Sequence, residues 1–225
     1  MSPAPTTAAN QAATARQFYN RLSKAYDLLA DKDERAAREQ GLAALAVQPG
    51  QQVLEIGYGT GHSLVALAQA VGPQGRVFGI DVSDGMRDVA AARVQEAGLA
   101  DRVQLVAGPT PPLPYSDGQF DAVSLSFTLE LFPLPELPAV LAEIKRVLRP
   151  GGKLGVVSMA VTRAGEQESL LEHVYKWMHL HFPHIVDCQP IDAREAVAAA
   201  GFRLTHDAEL KIWSMPVAVV VGVKP

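Results

Sequence analysis

Residues 53–63 read Val53-Leu54-Glu55-Ile56-Gly57-Tyr58-Gly59-Thr60-Gly61-His62-Ser63, an apolar run that passes through three alternating glycines into a helical pattern. Glycine lets the backbone turn sharply and approach a ligand with no Cβ in the way, and the first turn of the following helix offers N–H groups to an anion. The stretch is therefore a strand, a ligand-approaching turn and a helix in succession. By itself it leaves open the lesser alternative of a strand-to-helix turn that needs glycine for geometry alone.

Working outward, short β-rich runs alternate with helical stretches. Strands are expected at Gln52–Ile56, Arg76–Asp81, Val103–Val106, Ala122–Ser126 and Lys153–Met159. Such alternation builds a parallel sheet covered on both faces. Two further strands, about Arg203–Lys211 and Met215–Val223, are separated by too few residues for anything but an antiparallel hairpin. The expected fold is a doubly wound α/β domain with a mostly parallel seven-stranded sheet ending in that hairpin. Helix punctuation agrees: Ser83 caps the helix that ends before Gly98, Pro138 suits a first turn, and Asp192 with Glu195 forms a capping-box-like start to a helix that Gly201 ends.

The second strand ends in Asp81, twenty positions after Gly61. A carboxylate there offers two acceptor oxygens to the two hydroxyls of a ribose. Asp81 could also serve only as a cap for the segment starting at Ser83. A dinucleotide fingerprint would share the acid but needs G-x-G-x-x-G, and His62 stands where the third glycine belongs. A nicotinamide-dependent oxidoreductase is thereby demoted to an alternative.

The series Glu55-x-Gly57-x-Gly59-x-Gly61 with Asp81 resembles the first two motifs of class I S-adenosylmethionine (SAM)-dependent methyltransferases. The resemblance continues through Leu113-Pro114-Tyr115-Ser116-Asp117-Gly118-Gln119-Phe120-Asp121 and Arg146-Val147-Leu148-Arg149-Pro150-Gly151-Gly152. It implies the Rossmann-like methyltransferase fold, with SAM as cofactor. The Gly57–Gly61 loop would hold the methionine part, Glu55 would steady that loop, and Asp81 would hold the ribose. Tyr58, His62, Val82, Met86, Pro109, Thr110 and Ser126 complete the expected cofactor contacts. The stretch Phe120 to Leu129 is similar to the ubiquinone/menaquinone biosynthesis C-methyltransferase group, which continues with Arg-Asn where this chain has Glu130-Leu131. A second departure follows the third strand, where Gly108-Pro109-Thr110 replaces the group's Gly-Asp-Ala and the Thr110 hydroxyl or a backbone carbonyl must meet the adenine.

Methyl transfer from a sulfonium asks an enzyme chiefly for alignment and dehydration, so little catalytic machinery need be visible. The acceptor is expected over the carboxyl ends of the fourth and fifth strands, against Ser126, Phe127, Thr128 and Leu129, with Tyr19 and Tyr26 contributed by N-terminal helices over residues 16–47. The catalytic group is unassigned from sequence; His173, Tyr175, His179 and Tyr26 are candidates. The segment near 166–182, part of a stretch rich in histidine and aromatic residues, reads either as a cover helix or as the source of a general base. Its histidine spacings do not make a compact ligand set, which argues against zinc.

Composition sets the outer bounds. The chain has 225 residues, 48% hydrophobic and 20% charged, with formal net charge −4. That suits one soluble domain over residues 48–225, with residues 1–15 as a disordered tail, and gives no electrostatic pull toward nucleic acid. The single cysteine, Cys188, and the absence of a signal-like N-terminus fit the cytoplasm. No stretch is long enough to span a membrane, peripheral contact stays open, and either a monomer or a homodimer fits. The expected function is methyl transfer to a small or lipophilic acceptor; the alternative from a different class is a catalytically silent methyltransferase-like binding subunit.

Overall fold

The structure is a computed structural model, and the residues it describes are 31–161, 189–212 and 215–225. The expected tail, the first N-terminal helix with Tyr19 and Tyr26, and the histidine-rich segment with His173, Tyr175 and His179 lie outside these residues.

Seven strands form one sheet: β1 Gln52–Ile56, β2 Arg76–Asp81, β3 Val103–Ala107, β4 Phe120–Ser126, β5 Leu148–Met159, β6 Arg203–Ile212 and β7 Met215–Val223. Their order is β3-β2-β1-β4-β5-β7-β6. The first five are parallel neighbours, while β7 runs antiparallel to both β5 and β6. Strand order therefore reverses between β1 and β4, and the crevice outside their carboxyl ends is where ligands bind in open α/β sheets.

Helices α1 Asp31–Leu45, α2 His62–Val71 and α3 Asp84–Glu96 cover one face of the sheet; α4 Leu137–Val147 and α5 Ala193–Ala199 cover the other. Alternation along β1 shows how one strand serves both layers: Val53 packs with Leu64, Leu67 and Val94, whereas Leu54 and Ile56 pack with Val140, Leu141 and Ile144. A continuous apolar run is what a strand buried on both faces requires. Helix α1 lies close on β5 because Gly41 faces Val157, where an added Cβ would stand 2.3 Å from the valine Cγ2.

The expected caps form as read. The Ser83 hydroxyl accepts the Met86 N–H at 3.2 Å and Asp192 Oδ1 accepts the Glu195 N–H at 2.8 Å. Bounds of β3, β4 and β6 differ by a residue or two, and β5 begins five residues early, at Leu148 rather than Lys153, because Leu148 pairs with Phe120 before the register shifts to Lys153 opposite Ala122. The Pro150-Gly151-Gly152 stretch is held against the C-terminal residues, since Lys224 accepts the Gly151 N–H and donates its own N–H to Gly152, both at 2.9 Å. The same lysine's ammonium group donates to the carbonyls of Lys145 and Leu148.

Phe120 is fully buried at the start of β4, in edge-to-face contact with Phe78 and Tyr115 at 5.4 and 5.0 Å between ring centroids. Phe120→Ala is expected to cost about 3–5 kcal/mol in urea unfolding, the range for deleting a buried aromatic ring. Disrupting the exposed Arg35–Glu39 pair should shift the midpoint barely at all. Equal effects from the two changes would contradict this placement of the core.

Candidate active site

The turn after β1 is built by left-handed backbone. Gly57, Gly59 and Gly61 have φ of 69°, 50° and 87°, values that side chains disfavour. Two of the three are also packed from behind. A Cβ on Gly57 would lie 2.3 Å from Thr128 Cγ2, and one on Gly61 would lie 2.9 Å from the Ala90 Cβ. Above Gly59 there is nothing within 4 Å. The turn is thus clamped against α3 and the segment just after β4, while its middle faces open space.

Asp81 organises the front of this turn. Its Oδ2 accepts the Gly59 N–H and its Oδ1 accepts the Ser83 N–H, both at 2.9 Å. Its own backbone carbonyl accepts the Gly108 N–H at 2.8 Å, which brings the loop after β3 alongside. Burial raises the Asp81 carboxyl above its ordinary pKa, opposed by the amide hydrogen bonds it accepts. A Cβ on Gly108 would also meet open space, and Val82 and Pro109 are exposed beside it, with Thr110 half-buried. Arg93 of α3 donates to the Thr60 carbonyl and fastens the turn from its other side.

The side chains of two expected site residues, Tyr58 and Met86, are packed into the core. Tyr58 is only 4% exposed, and its hydroxyl donates to the Val106 carbonyl at 3.3 Å, so its side chain is part of the core beneath β2 and β3. Met86 likewise packs its side chain with Leu64, Ala90 and Val94. His62 is half-buried at the first position of α2, directly after the glycine that caps this helix. Glu55 is 1% exposed with Oε2 unpartnered; burial, offset in part by a hydrogen bond from Ser63, raises its pKa to about 8.

The end of β4 comes next to the turn. Thr128 is buried, and its hydroxyl reaches the carbonyls of Gly57 at 3.3 Å and Ser126 at 3.0 Å. Phe127 takes a left-handed φ of 51°, and its half-buried ring joins the cluster of Ala37, Val157 and Met159. Sequence reasoning missed Glu130, which is buried in the adjacent 3-10 turn Leu129–Leu131 with its carboxyl on the end of β5. Among the described residues there is no cluster of three metal-ligating side chains and no helix long and apolar enough to cross a membrane.

Residues 53–152 match the family described as Methyltransferase domain, Methyltransf_25. The demethylmenaquinone methyltransferase of Lactobacillus johnsonii is 35% identical over 144 residues, covering 62% of this chain and 58% of that protein. The chain thus spans little more than half the length of this curated relative. Among solved structures, the [4+2]-cyclase SpnF superposes with a TM-score of 0.74 at 20% identity, covering 94% of this chain and 95% of that one. The 1,6-didemethyltoxoflavin-N1-methyltransferase of Burkholderia thailandensis, solved with its substrate and S-adenosylhomocysteine, superposes at 0.72 with 19% identity, covering 99% and 93%. These likenesses establish the Rossmann-like methyltransferase fold.

Two outcomes test the site's construction. Gly57→Ala should destabilise the protein by at least the roughly 1–2 kcal/mol of a left-handed residue, and adding Thr128→Ala should recover part of the loss by removing the clash. No recovery in urea unfolding would contradict the contact. Secondly, Glu55 keeps its proton in the folded state to about pH 8, whereas the unfolded chain releases it near the ordinary 4.5. Its contribution to stability therefore falls as pH rises between those values. Glu55→Gln should make the decline in unfolding midpoint across that window shallower, and an unaltered slope would count against the buried acid.

Proposed function

We propose that the protein is a SAM-dependent methyltransferase acting on a small or lipophilic acceptor. The observation that carries this reading is Asp81, whose carboxylate accepts the Gly59 and Ser83 amides at the carboxyl end of β2, next to the strand where the order reverses. The open space over Gly59 and Gly108 fits a nucleoside and an amino-acid tail lying along the turn. SAM, when bound, supplies a methyl group already activated by a sulfonium.

The chain's own residues would do the rest. The Gly57–Gly61 backbone and the N-terminal end of α2 receive the methionine carboxylate, an arrangement favoured by helix-terminal N–H groups. Asp81 accepts the ribose hydroxyls with lone pairs that its backbone amide contacts leave over. Val82 and Pro109 offer apolar surface to the adenine, and Thr110 or a backbone group meets its amino edge. Glu55 steadies the turn from below through Ser63.

Methyl transfer then needs the acceptor held in line with the sulfonium and kept dry, over Ser126, Phe127 and Thr128. The Lactobacillus relative is named for a demethylmenaquinone substrate, which supports a lipophilic ring as the acceptor. Tyr19, Tyr26, His173, Tyr175 and His179 remain candidates for the acceptor side. A cytoplasmic protein with no nucleic-acid partner fits the composition.

Ligand that binds only the folded state raises the unfolding midpoint; at a hundredfold excess over Kd the gain is about 2.7 kcal/mol. SAM and S-adenosylhomocysteine are expected to raise the midpoint of the wild-type protein, and Asp81→Ala to remove most of the shift. No shift with either compound at millimolar concentration would overturn the assignment. A shift without methyl transfer to any quinol, phenol, amine or lipid acceptor would favour a binding subunit instead.

A further inference from the structure

Glu130 lies two residues beyond Thr128, the side chain that touches the cofactor turn, and is 1% exposed. Its carboxyl is held by backbone amides, those of Met159 and of Glu130 itself. Oε1 accepts the Met159 N–H at 2.9 Å, at the carboxyl end of β5, while Oε2 has no hydrogen-bond partner. The surrounding backbone is tied down as well: the Glu130 carbonyl accepts the Gln189 N–H at 3.1 Å, and the Met159 carbonyl accepts the Ile191 N–H at 3.1 Å. A rigidly held carboxyl with one bare oxygen therefore stands at the edge of β4 and β5, among the buried side chains of Leu129, Met159 and Ile191.

A buried polar atom without a partner is costly, and a structure retains one where something else supplies the missing contact. We propose that Glu130 determines acceptor specificity: its Oε2 receives a hydrogen bond from a hydroxyl or ring N–H on a methyl acceptor with an apolar body. This rests on the methyltransferase reading and goes beyond it by naming the acceptor's chemistry. The similar quinone methyltransferase group carries Arg-Asn where this chain has Glu130-Leu131. Arginine can only donate, whereas a carboxylate accepts, so the polarity required of the acceptor at this point is inverted.

Burial raises the Glu130 pKa to about 8, and Glu34 on α1 pushes it the same way. With the site empty the carboxyl is neutral below about pH 8 and Oε2 carries its proton, so accepting a hydrogen bond from the ligand is coupled to release of that proton. The Met159 contact survives either state because Oε1 remains an acceptor.

Binding of 1-naphthol and of 1-methoxynaphthalene, which share the ring and its oxygen but differ in the O–H donor, should be measured calorimetrically above pH 8, where the carboxyl is ionised, on protein saturated with S-adenosylhomocysteine. The wild type is expected to prefer 1-naphthol by about tenfold or more, the scale of one hydrogen bond to a charged group. Glu130→Gln keeps an acceptor for the Met159 N–H yet presents an N–H donor to the ligand, so it should abolish the preference. Glu130→Leu should do the same, and affinity for S-adenosylhomocysteine should be unchanged in both. If the leucine variant does not fold, the glutamine variant decides alone. A preference that persists in Glu130→Gln, one missing in the wild type, or failure of both rings to bind the loaded protein would overturn the proposal. Failure of S-adenosylhomocysteine itself to bind would instead overturn the reading on which it rests.

Discussion

The structure depends on one backbone reversal, the passage of the chain from β1 into α2 through three left-handed glycines. Its freedom is removed from behind by Thr128 and Ala90, which fill the places where side chains on Gly57 and Gly61 would stand. Gly59 is left facing outward, held only by its amide to Asp81. Strand β4 must therefore lie beside β1 for the turn to keep its form, and β2 must end where its acid can reach the turn. The order of the central strands and the shape of the candidate site are one constraint seen at two scales.

Acids placed in this edge of the sheet are a second theme. Glu55 and Glu130 are each almost fully buried, and each has one oxygen without a partner. Both have pKa values raised to about 8 by burial. A fold selected for stability alone would replace them with apolar residues of similar size, since a buried unpaired carboxyl opposes folding at neutral pH. Their positions, below the glycine turn and across the ends of β4 and β5, bracket the crevice where cofactor and acceptor would meet.

Much of this was legible in the sequence because it is carried by local rules. Alternating strands and helices, the glycine turn, the acid ending β2, the Ser83 and Asp192 caps and the closing hairpin all depend on residues close together in the chain. What the sequence concealed depends on distant partners. The Tyr58 hydroxyl finds its partner at Val106, on β3. The Met86 side chain packs in the cluster of Leu64 and Val94, which α2 and α3 bring together. Leu148 joins β5 early because Phe120 pairs with it across the sheet. Glu130 looks like a mere departure from a family pattern, and its burial becomes visible only when β5 brings the Met159 amide to it.

The central claim is that the Gly57–Gly61 turn and Asp81 together hold S-adenosyl compounds. The most direct measurement is amide-resolved NMR of the 15N-labelled protein during titration with S-adenosylhomocysteine. The account predicts saturable shifts concentrated at Gly57, Gly59, Gly61, Ser83 and Gly108, with a common dissociation constant. Unchanged resonances at these five amides, or saturable shifts confined to other strands, would contradict it.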